Sequence, residues 1–87
     1  MQNYPNPFSA STIISYKLTG SFETNVKIYD LTGREIVTIA NGFQPAGIYQ
    51  LIWNGKDSKG LSVPSGIYFC CLEAGSVVKI KKMILQH

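Results

Sequence analysis

The sequence predicts an all-β fold, an antiparallel β-sandwich of about seven short strands. Hydrophobic and polar residues alternate along several short runs, which is the two-residue period of a strand with one buried face. No run shows the 3.6-residue period of a helix, and turn-forming residues recur about every 8–12 positions. The 87 residues correspond to one domain, and 45% hydrophobic against 15% charged residues favours a folded chain over a disordered one.

Residues 1–11 are predicted to form an extended lead-in. Pro5 and Pro7 each drive the preceding residue towards extended geometry. Tyr4 and Phe8 lie beside these prolines, and we expect both to pack on the edge of a sheet. Because Met1 precedes a proline-rich stretch rather than a strand of its own, the chain is interpreted as a fragment of a larger protein.

The alternating runs define the strands that follow the lead-in. They cover residues 12–18, 26–30, 35–40, 47–53, 66–73 and 77–85. Asn41-Gly42 is predicted to be a turn. The predicted core positions are Ile14, Tyr16, Leu18, Val26, Ile28, Tyr49, Leu51, Trp53, Tyr68, Cys70 and Leu72. The architecture is immunoglobulin-like, although the Cys…Trp…Cys spacing of antibody domains is absent.

The last strand combines apolar residues with lysines. Its alternation predicts that Val78, Ile80 and Ile84 face the core. The opposite face would then carry Lys79, Lys81 and Met83 outwards.

Residues 53–68 are predicted to form a long hairpin-like connection between two core strands. The stretch begins at the only tryptophan and is rich in Gly, Asn, Asp, Ser and Pro, the residues that form turns. Its end, Pro64-Ser-Gly-Ile-Tyr68, nearly repeats Pro45-Ala-Gly-Ile-Tyr49. We interpret the repeat as two strands that enter their sheets through similar corners rather than as a duplication.

The two cysteines are adjacent and are predicted to be free thiols. Cys70 and Cys71 would point to opposite faces of a strand, one buried and one on the outer face. A disulfide between neighbours would be strained, so neither a disulfide nor a metal site is predicted.

Charge and apolar runs argue against two classes of partner. The net charge is +3 and no basic cluster interleaves with aromatic residues, so nucleic-acid binding is not expected. No segment approaches the roughly 20 apolar residues of a membrane-spanning helix, and no signal peptide pattern is seen. Neither nucleic acid nor direct membrane insertion is therefore predicted.

No arrangement typical of an enzyme is found. His87 is the only histidine, so no nucleophile–base pair of the serine or cysteine hydrolase type is predicted. Residues 54–60 resemble a calcium loop faintly, but Asp57 is their only carboxylate and two lysines oppose a cation. We therefore predict a non-catalytic domain without a cofactor or a metal. Tyr29, Phe43 and Phe69 are candidates for an exposed ligand surface.

Four stretches together resemble one protein family. They are Asn3-Tyr-Pro-Asn-Pro-Phe8, Ile28-Tyr-Asp-Leu-Thr-Gly-Arg-Glu35, Trp53–Tyr68 and Lys79-Ile-Lys-Lys-Met-Ile-Leu85. Their order and content are similar to the type A C-terminal sorting domain of cargo proteins of the type IX (Por) secretion system. They also resemble the related immunoglobulin-like domain of flagellar hook-capping proteins.

The resemblance implies a non-catalytic sorting signal. Such a domain directs an attached N-terminal cargo protein of a Bacteroidetes-type bacterium from the periplasm across the outer membrane. The secretion machinery recognises it, and a surface sortase removes it as the cargo reaches the cell surface or is secreted. The residues that match the family's recognition positions are Gly66, Tyr68, Lys79, Lys81 and Lys82.

Two alternatives remain open at the level of sequence. The domain could be a passive spacer or glycan-binding module of a secreted enzyme, or an assembly domain of the hook-cap kind. The lysines of the last strand also have two interpretations. A partner strand could dock on that edge and read them, or they could protect the edge from aggregation.

Overall fold

A computed structural model describes all 87 residues and shows seven strands in two antiparallel sheets. The strands are β1 (Gln2–Tyr4), β2 (Thr12–Leu18), β3 (Phe22–Asp30), β4 (Glu35–Gln44), β5 (Gly47–Trp53), β6 (Gly66–Ala74) and β7 (Val77–Leu85). One sheet has the order β1-β2-β5 and the other the order β4-β3-β6-β7. The predicted all-β sandwich is confirmed. The structure contains no helix that could cross a membrane.

The core lies between the two sheets and is centred on Trp53. The indole is 1% exposed and meets the rings of Phe8 and Tyr68 edge-on, at centroid distances of 5.6 and 5.3 Å. Its N–H donates to the carbonyl of Lys56 at 3.0 Å, so the one polar atom of the ring is satisfied inside the protein. The alternation predicted for β2 is confirmed, because Ile14, Tyr16 and Leu18 are all buried.

The lead-in is only partly as predicted. Phe8 is buried, whereas Tyr4 is 79% exposed on the outer side of the three-stranded sheet. Residues 2–4 form strand β1, which pairs with β2 and buries Asn3 rather than an apolar residue. Asn3 donates its amide hydrogen to the Thr12 hydroxyl, which in turn donates to the carbonyl of Pro5.

The connection after Trp53 is not hairpin-like. Strand β5 belongs to the three-stranded sheet and β6 to the four-stranded sheet, so residues 54–65 cross from one layer to the other. The crossing lets Trp53 and Tyr68 pack against each other through the core rather than side by side in one sheet. Asp57 holds the loop, since its carboxylate accepts the N–H groups of Lys59 and Leu61 at 2.9 and 3.0 Å.

The predicted turn at Asn41-Gly42 is wrong. Strand β4 continues through both residues, which pair with Asn25 and Thr24 of β3. Because β3 begins at Phe22, earlier than its sequence pattern indicated, it offers partners to this extension. Gly42 adopts a φ of 135°, which accommodates the irregular strand without a side chain.

The two proline-led corners have the same hydrogen bond. The hydroxyl of Tyr49 donates to the carbonyl of Pro45 at 2.5 Å, and that of Tyr68 donates to Pro64 at 2.6 Å. Each tyrosine thereby connects the beginning of its strand to the proline four residues earlier. The interpretation as two similar corners is confirmed.

The cysteines are free, as predicted, with Cys70 buried and Cys71 half-buried on the outer face. Burial raises the pKa of the Cys70 thiol from 9.0 to about 12, and the neighbouring Cys71 adds to the shift. The folded state thus holds this proton more tightly than the unfolded state does.

Replacing Trp53 with alanine should lower the free energy of unfolding by about 3–5 kcal/mol, because a large buried side chain is lost and a cavity remains. Urea denaturation of the pure domain measures this. The matched control is Ile52→Ala, at a neighbouring side chain that is 68% exposed on the opposite face of β5. The control should stay within about 0.5 kcal/mol of the parent. Equal stability of the two variants would contradict the central position of Trp53.

The domain should lose stability as the pH rises above 9. The unfolded state then releases the Cys70 proton while the folded state retains it until about pH 12, so the free energy of unfolding falls. The slope from this group approaches about 1.4 kcal/mol per pH unit. Urea denaturation at several pH values should show a shallower decline for Cys70→Ala, with other titrating groups common to both proteins. Parallel curves would contradict the assigned pKa.

Candidate functional site

Strand β7 forms one margin of the four-stranded sheet and pairs only with β6. In an antiparallel pair, successive residues direct their backbone groups alternately to the partner strand and away from it. Ile84 directs both groups away from β6, since its N–H donates to Asn6 and its carbonyl accepts from Phe8. The pairing with β6 has no register shift, so Val78, Ile80 and Lys82 also point their backbone groups towards the free edge.

The lead-in closes the second half of this edge. The side chain of Asn6 accepts the N–H of Ile84 at 2.9 Å and donates to the carbonyl of Lys82 at 3.2 Å. The backbone of Phe8 donates to Ile84 at 3.0 Å and accepts from Gln86 at 2.8 Å. The edge is therefore covered from Lys82 to Gln86 by a segment from the other end of the chain.

The first half of the edge is open. No hydrogen bond engages the outward-directed backbone groups of Val78 and Ile80. Their side chains are 58% and 65% exposed. Residues 77–81, which we call the open edge, thus present unpaired backbone groups beside exposed apolar side chains. Such edges are the usual sites for pairing with another strand.

The predicted orientation of the last strand is wrong. Met83 and Leu85 are buried, and Val78 and Ile80 lie on the outer face. Register explains the reversal: Met83 lies opposite Tyr68 in β6, a residue that faces the core. By the same alternation Lys79 and Lys81 are on the core-facing side at the margin of the sheet, and Lys79 lines a cleft with Lys17 and Leu18 at the end of β2. Lys79 is exposed and Lys81 is half-buried.

The lysines of β7 have no acidic partner. The domain has two ion pairs, Lys27 with Glu35 at 3.2 Å and Arg34 with Asp30 at 3.3 Å. Neither includes Lys79, Lys81 or Lys82. Three positive charges within four residues therefore surround the open edge without neutralisation from the domain itself.

An apolar cleft adjoins the open edge on the outer face of the sheet. It has a volume of about 360 Å³, and its apolar lining includes Tyr29, Phe69 and Ile80. Tyr29 and Phe69 are directly opposite each other in β3 and β6, so the structure brings together two of the three aromatic candidates. Phe43, the third, is 64% exposed near the far end of β4, opposite Glu23.

Gly66 and Tyr68 occupy a different position from the three lysines. Gly66 begins β6 and pairs with Leu85, while Tyr68 is 5% exposed and bonded to Pro64. Burial raises the pKa of the Tyr68 phenol. Both residues lie beside the covered half of β7 and form the corner that starts its partner strand. The structure brings Lys79, Lys81 and Lys82 together on the edge strand, whereas Gly66 and Tyr68 lie in the neighbouring strand β6.

The residues that divide β7 into two halves were missed by sequence reasoning. Asn6 closes one half through its side chain, and Val78 opens the other through its backbone. His87 at the C-terminus is also held in place, since its backbone N–H donates to the Ser65 hydroxyl at 3.0 Å and its ring lies 2.8 Å from the Val63 carbonyl. No sequence signal indicates these contacts, because each joins segments far apart in the chain. No group of three or more potential metal ligands is present.

A family model, the FlgD Ig-like domain, matches residues 6–76. The chain belongs to this family. The predicted likeness to the immunoglobulin-like domain of hook-capping proteins is thereby confirmed. A comparison with curated protein sequences gives no match.

Solved structures support the same fold. This chain superimposes on part of PorZ from Porphyromonas gingivalis with a TM-score of 0.72 and a sequence identity of 23%. The superposition covers 99% of this chain and 11% of PorZ. For FlgD from P. aeruginosa the TM-score is 0.66 and the sequence identity is 28%, over 87% of this chain and 62% of FlgD. For dimeric latent PorU from P. gingivalis the TM-score is 0.68 and the sequence identity is 20%, over 97% of this chain and 9% of PorU. The chain thus spans only a part of each of these proteins.

Replacing Asn6 with alanine should open the covered half of the edge. The amide of Ile84 loses its acceptor, so its hydrogen exchange should accelerate, while Val78 and Ile80 exchange rapidly in both proteins. The loss of two exposed hydrogen bonds should cost about 1–2 kcal/mol. Amide exchange followed by NMR provides the measurement, with Asn41→Ala as the control for an exposed asparagine elsewhere. An unchanged exchange rate of the Ile84 amide would show that the closure of this half of the edge does not depend on Asn6.

Proposed function

We propose that this domain is a non-catalytic sorting signal that directs an attached cargo protein across the outer membrane through type IX secretion machinery. The cargo precedes the domain, passes through the periplasm and arrives at the cell surface or in the medium. A surface sortase then acts on the junction between them. The domain itself supplies no chemistry to these steps and serves as the part that is recognised.

The open edge of β7 is the observation that carries this proposal. Each sheet of a sandwich has two edge strands, and an edge that is neither protected nor used is an aggregation hazard. Here one half is closed by a dedicated segment, whereas the other half keeps apolar side chains, free backbone groups and unpaired lysines together. Recognition by strand addition uses all three features.

The structural likeness supports the same direction. PorZ is described as an essential bacterial surface component of the type IX secretion system, and a part of it has this fold. The resemblance of the four sequence stretches points independently to sorting domains. Lys79, Lys81 and Lys82 are the residues that we assign to recognition, and Gly66 and Tyr68 position the strand beside them.

An assembly role of the hook-cap kind is the second candidate. The family match and the 28% identity to FlgD favour it. Such a domain would act between subunits of a protein filament rather than between a cargo and a secretion machine. The two functions predict different results when the domain is attached to an unrelated protein.

The test attaches residues 2–87 behind a signal peptide and a reporter in a cell with type IX secretion. We expect the reporter at the cell surface or in the medium. The variant Lys79→Gln with Lys81→Gln should leave the reporter in the periplasm, with the domain still folded because both side chains lie at the sheet margin. Fractionation and surface protease treatment locate the reporter.

The matched control is Lys56→Gln with Lys59→Gln, which removes the same charge from two exposed positions of the loop that follows β5. It should be exported like the parent. A parental domain that leaves its reporter in the periplasm would refute the sorting function. Export of both double variants at the parental level would show that the lysines of β7 protect the edge and are not recognised by the secretion machinery.

A further inference from the structure

We propose that the open edge, residues 77–81, binds an extended strand of another protein whose side chains are acidic on the side of Lys79 and Lys81 and apolar on the side of Val78 and Ile80. This inference rests on the proposed function for the partner's place in the secretion machinery. The chemistry of the partner strand follows from the geometry of β7 itself.

The backbone defines where the partner strand lies. Val78 and Ile80 each offer one N–H and one carbonyl to the free edge. A strand that pairs with both covers the five residues of the open edge, about 17 Å in length. It cannot continue along β7, because Asn6 and Phe8 occupy the carbonyl of Lys82, both backbone groups of Ile84 and the N–H of Gln86. These contacts of the lead-in with β7 therefore determine the register of the bound strand and the point where it ends.

The two lysines define one face of the partner. Lys79 and Lys81 are two residues apart, so their side chains leave β7 on the same side about 7 Å apart along the strand. Side chains directly opposite on a paired strand come within about 5 Å. Acidic residues at alternate positions of the partner would neutralise both lysines, which have no carboxylate within the domain.

The apolar residues define the other face. Val78 and Ile80 are more than half exposed on the outer side, and Ile80 continues into the cleft lined by Phe69 and Tyr29. An apolar side chain on the partner strand would cover Ile80 and the mouth of this cleft. The partner strand is thus predicted to alternate acidic and apolar residues.

A second copy of the chain is a poor occupant. The antiparallel pairing that uses all five residues of the open edge sets Lys79 against Lys79 of the other copy. A shift by two residues, the smallest that keeps the outward backbone groups paired, sets Lys79 against Lys81. Like charges directly opposite on paired strands are destabilising. The lysines hence disfavour self-association while leaving the edge available to an acidic strand.

The probe is a short capped peptide of alternating valine and glutamate, titrated into the isotope-labelled domain and followed by NMR. We expect shifts at residues 77–81 and slower hydrogen exchange at the amides of Val78 and Ile80. A peptide with lysine in place of glutamate should bind at least about tenfold more weakly, as should the glutamate peptide at high salt. Equal binding of the two peptides, or shifts confined to another surface, would overturn the proposal.

Variants separate backbone from side-chain recognition. Ile80→Pro removes an outward N–H without breaking the pairing with β6 and should abolish binding. Ile80→Thr keeps that N–H and should bind more weakly but measurably. Lys79→Gln with Lys81→Gln should weaken binding about tenfold, and Lys56→Gln with Lys59→Gln should not. Should the proline variant fail to fold, the protection of the Val78 and Ile80 amides in the parent decides the question alone.

Two further outcomes separate this inference from the proposed function. If the domain exports its reporter but the glutamate peptide does not protect Val78 and Ile80, the strand site is wrong and the sorting function stands. If the peptide binds at the open edge but no reporter is exported, the site stands and the sorting function is wrong. Concentration-dependent dimers that pair through β7 would overturn the choice of a foreign strand.

Discussion

The packing of Trp53 against both Phe8 and Tyr68 is the interaction on which the rest of the structure depends. These three rings come from the lead-in, the end of β5 and the start of β6, so two contacts of one indole join three distant parts of the chain. Because β5 and β6 belong to different sheets, the contact of Trp53 with Tyr68 also joins the two layers of the sandwich. In a domain of 87 residues the core is small, and a large aromatic group at its centre contributes a substantial share of the burial.

The position of Phe8 in this core has a consequence for β7. To bury its ring, the lead-in must pass along the margin of the four-stranded sheet, and there its backbone and the side chain of Asn6 meet the outward groups of Ile84. The same packing that stabilises the core therefore closes half of a strand edge. Residues 2–4 pair with β2 in the other sheet, so the contact of the lead-in with β7 begins at Asn6 and residues 77–81 remain unpaired on this side. One segment thus contributes to the core and determines which part of β7 stays open.

The lysines of β7 acquire a different meaning from this geometry. On a fully covered strand they would only improve solubility, and on a fully open strand they would chiefly prevent self-pairing. At an edge that is half covered they would oppose pairing with a second copy and, under our proposal, attract an acidic strand. The exposed Val78 and Ile80 fit this interpretation, because apolar residues beside charges are typical of a surface that is covered only when a partner is bound.

The sequence by itself determined the fold class, most strand positions and the inner face of strands such as β2, where only one phase of the alternation is consistently apolar. It also indicated the two proline-led corners, which depend on residues within five positions of each other. Tertiary structure alone decided the layer of β5 and β6, the extension of β4 and the orientation of β7. In β7 both phases are partly apolar, with Val78 and Ile80 in one and Met83 and Leu85 in the other. Local periodicity could not choose between them, and the choice came from the register with β6 and from the distant lead-in that covers Leu85.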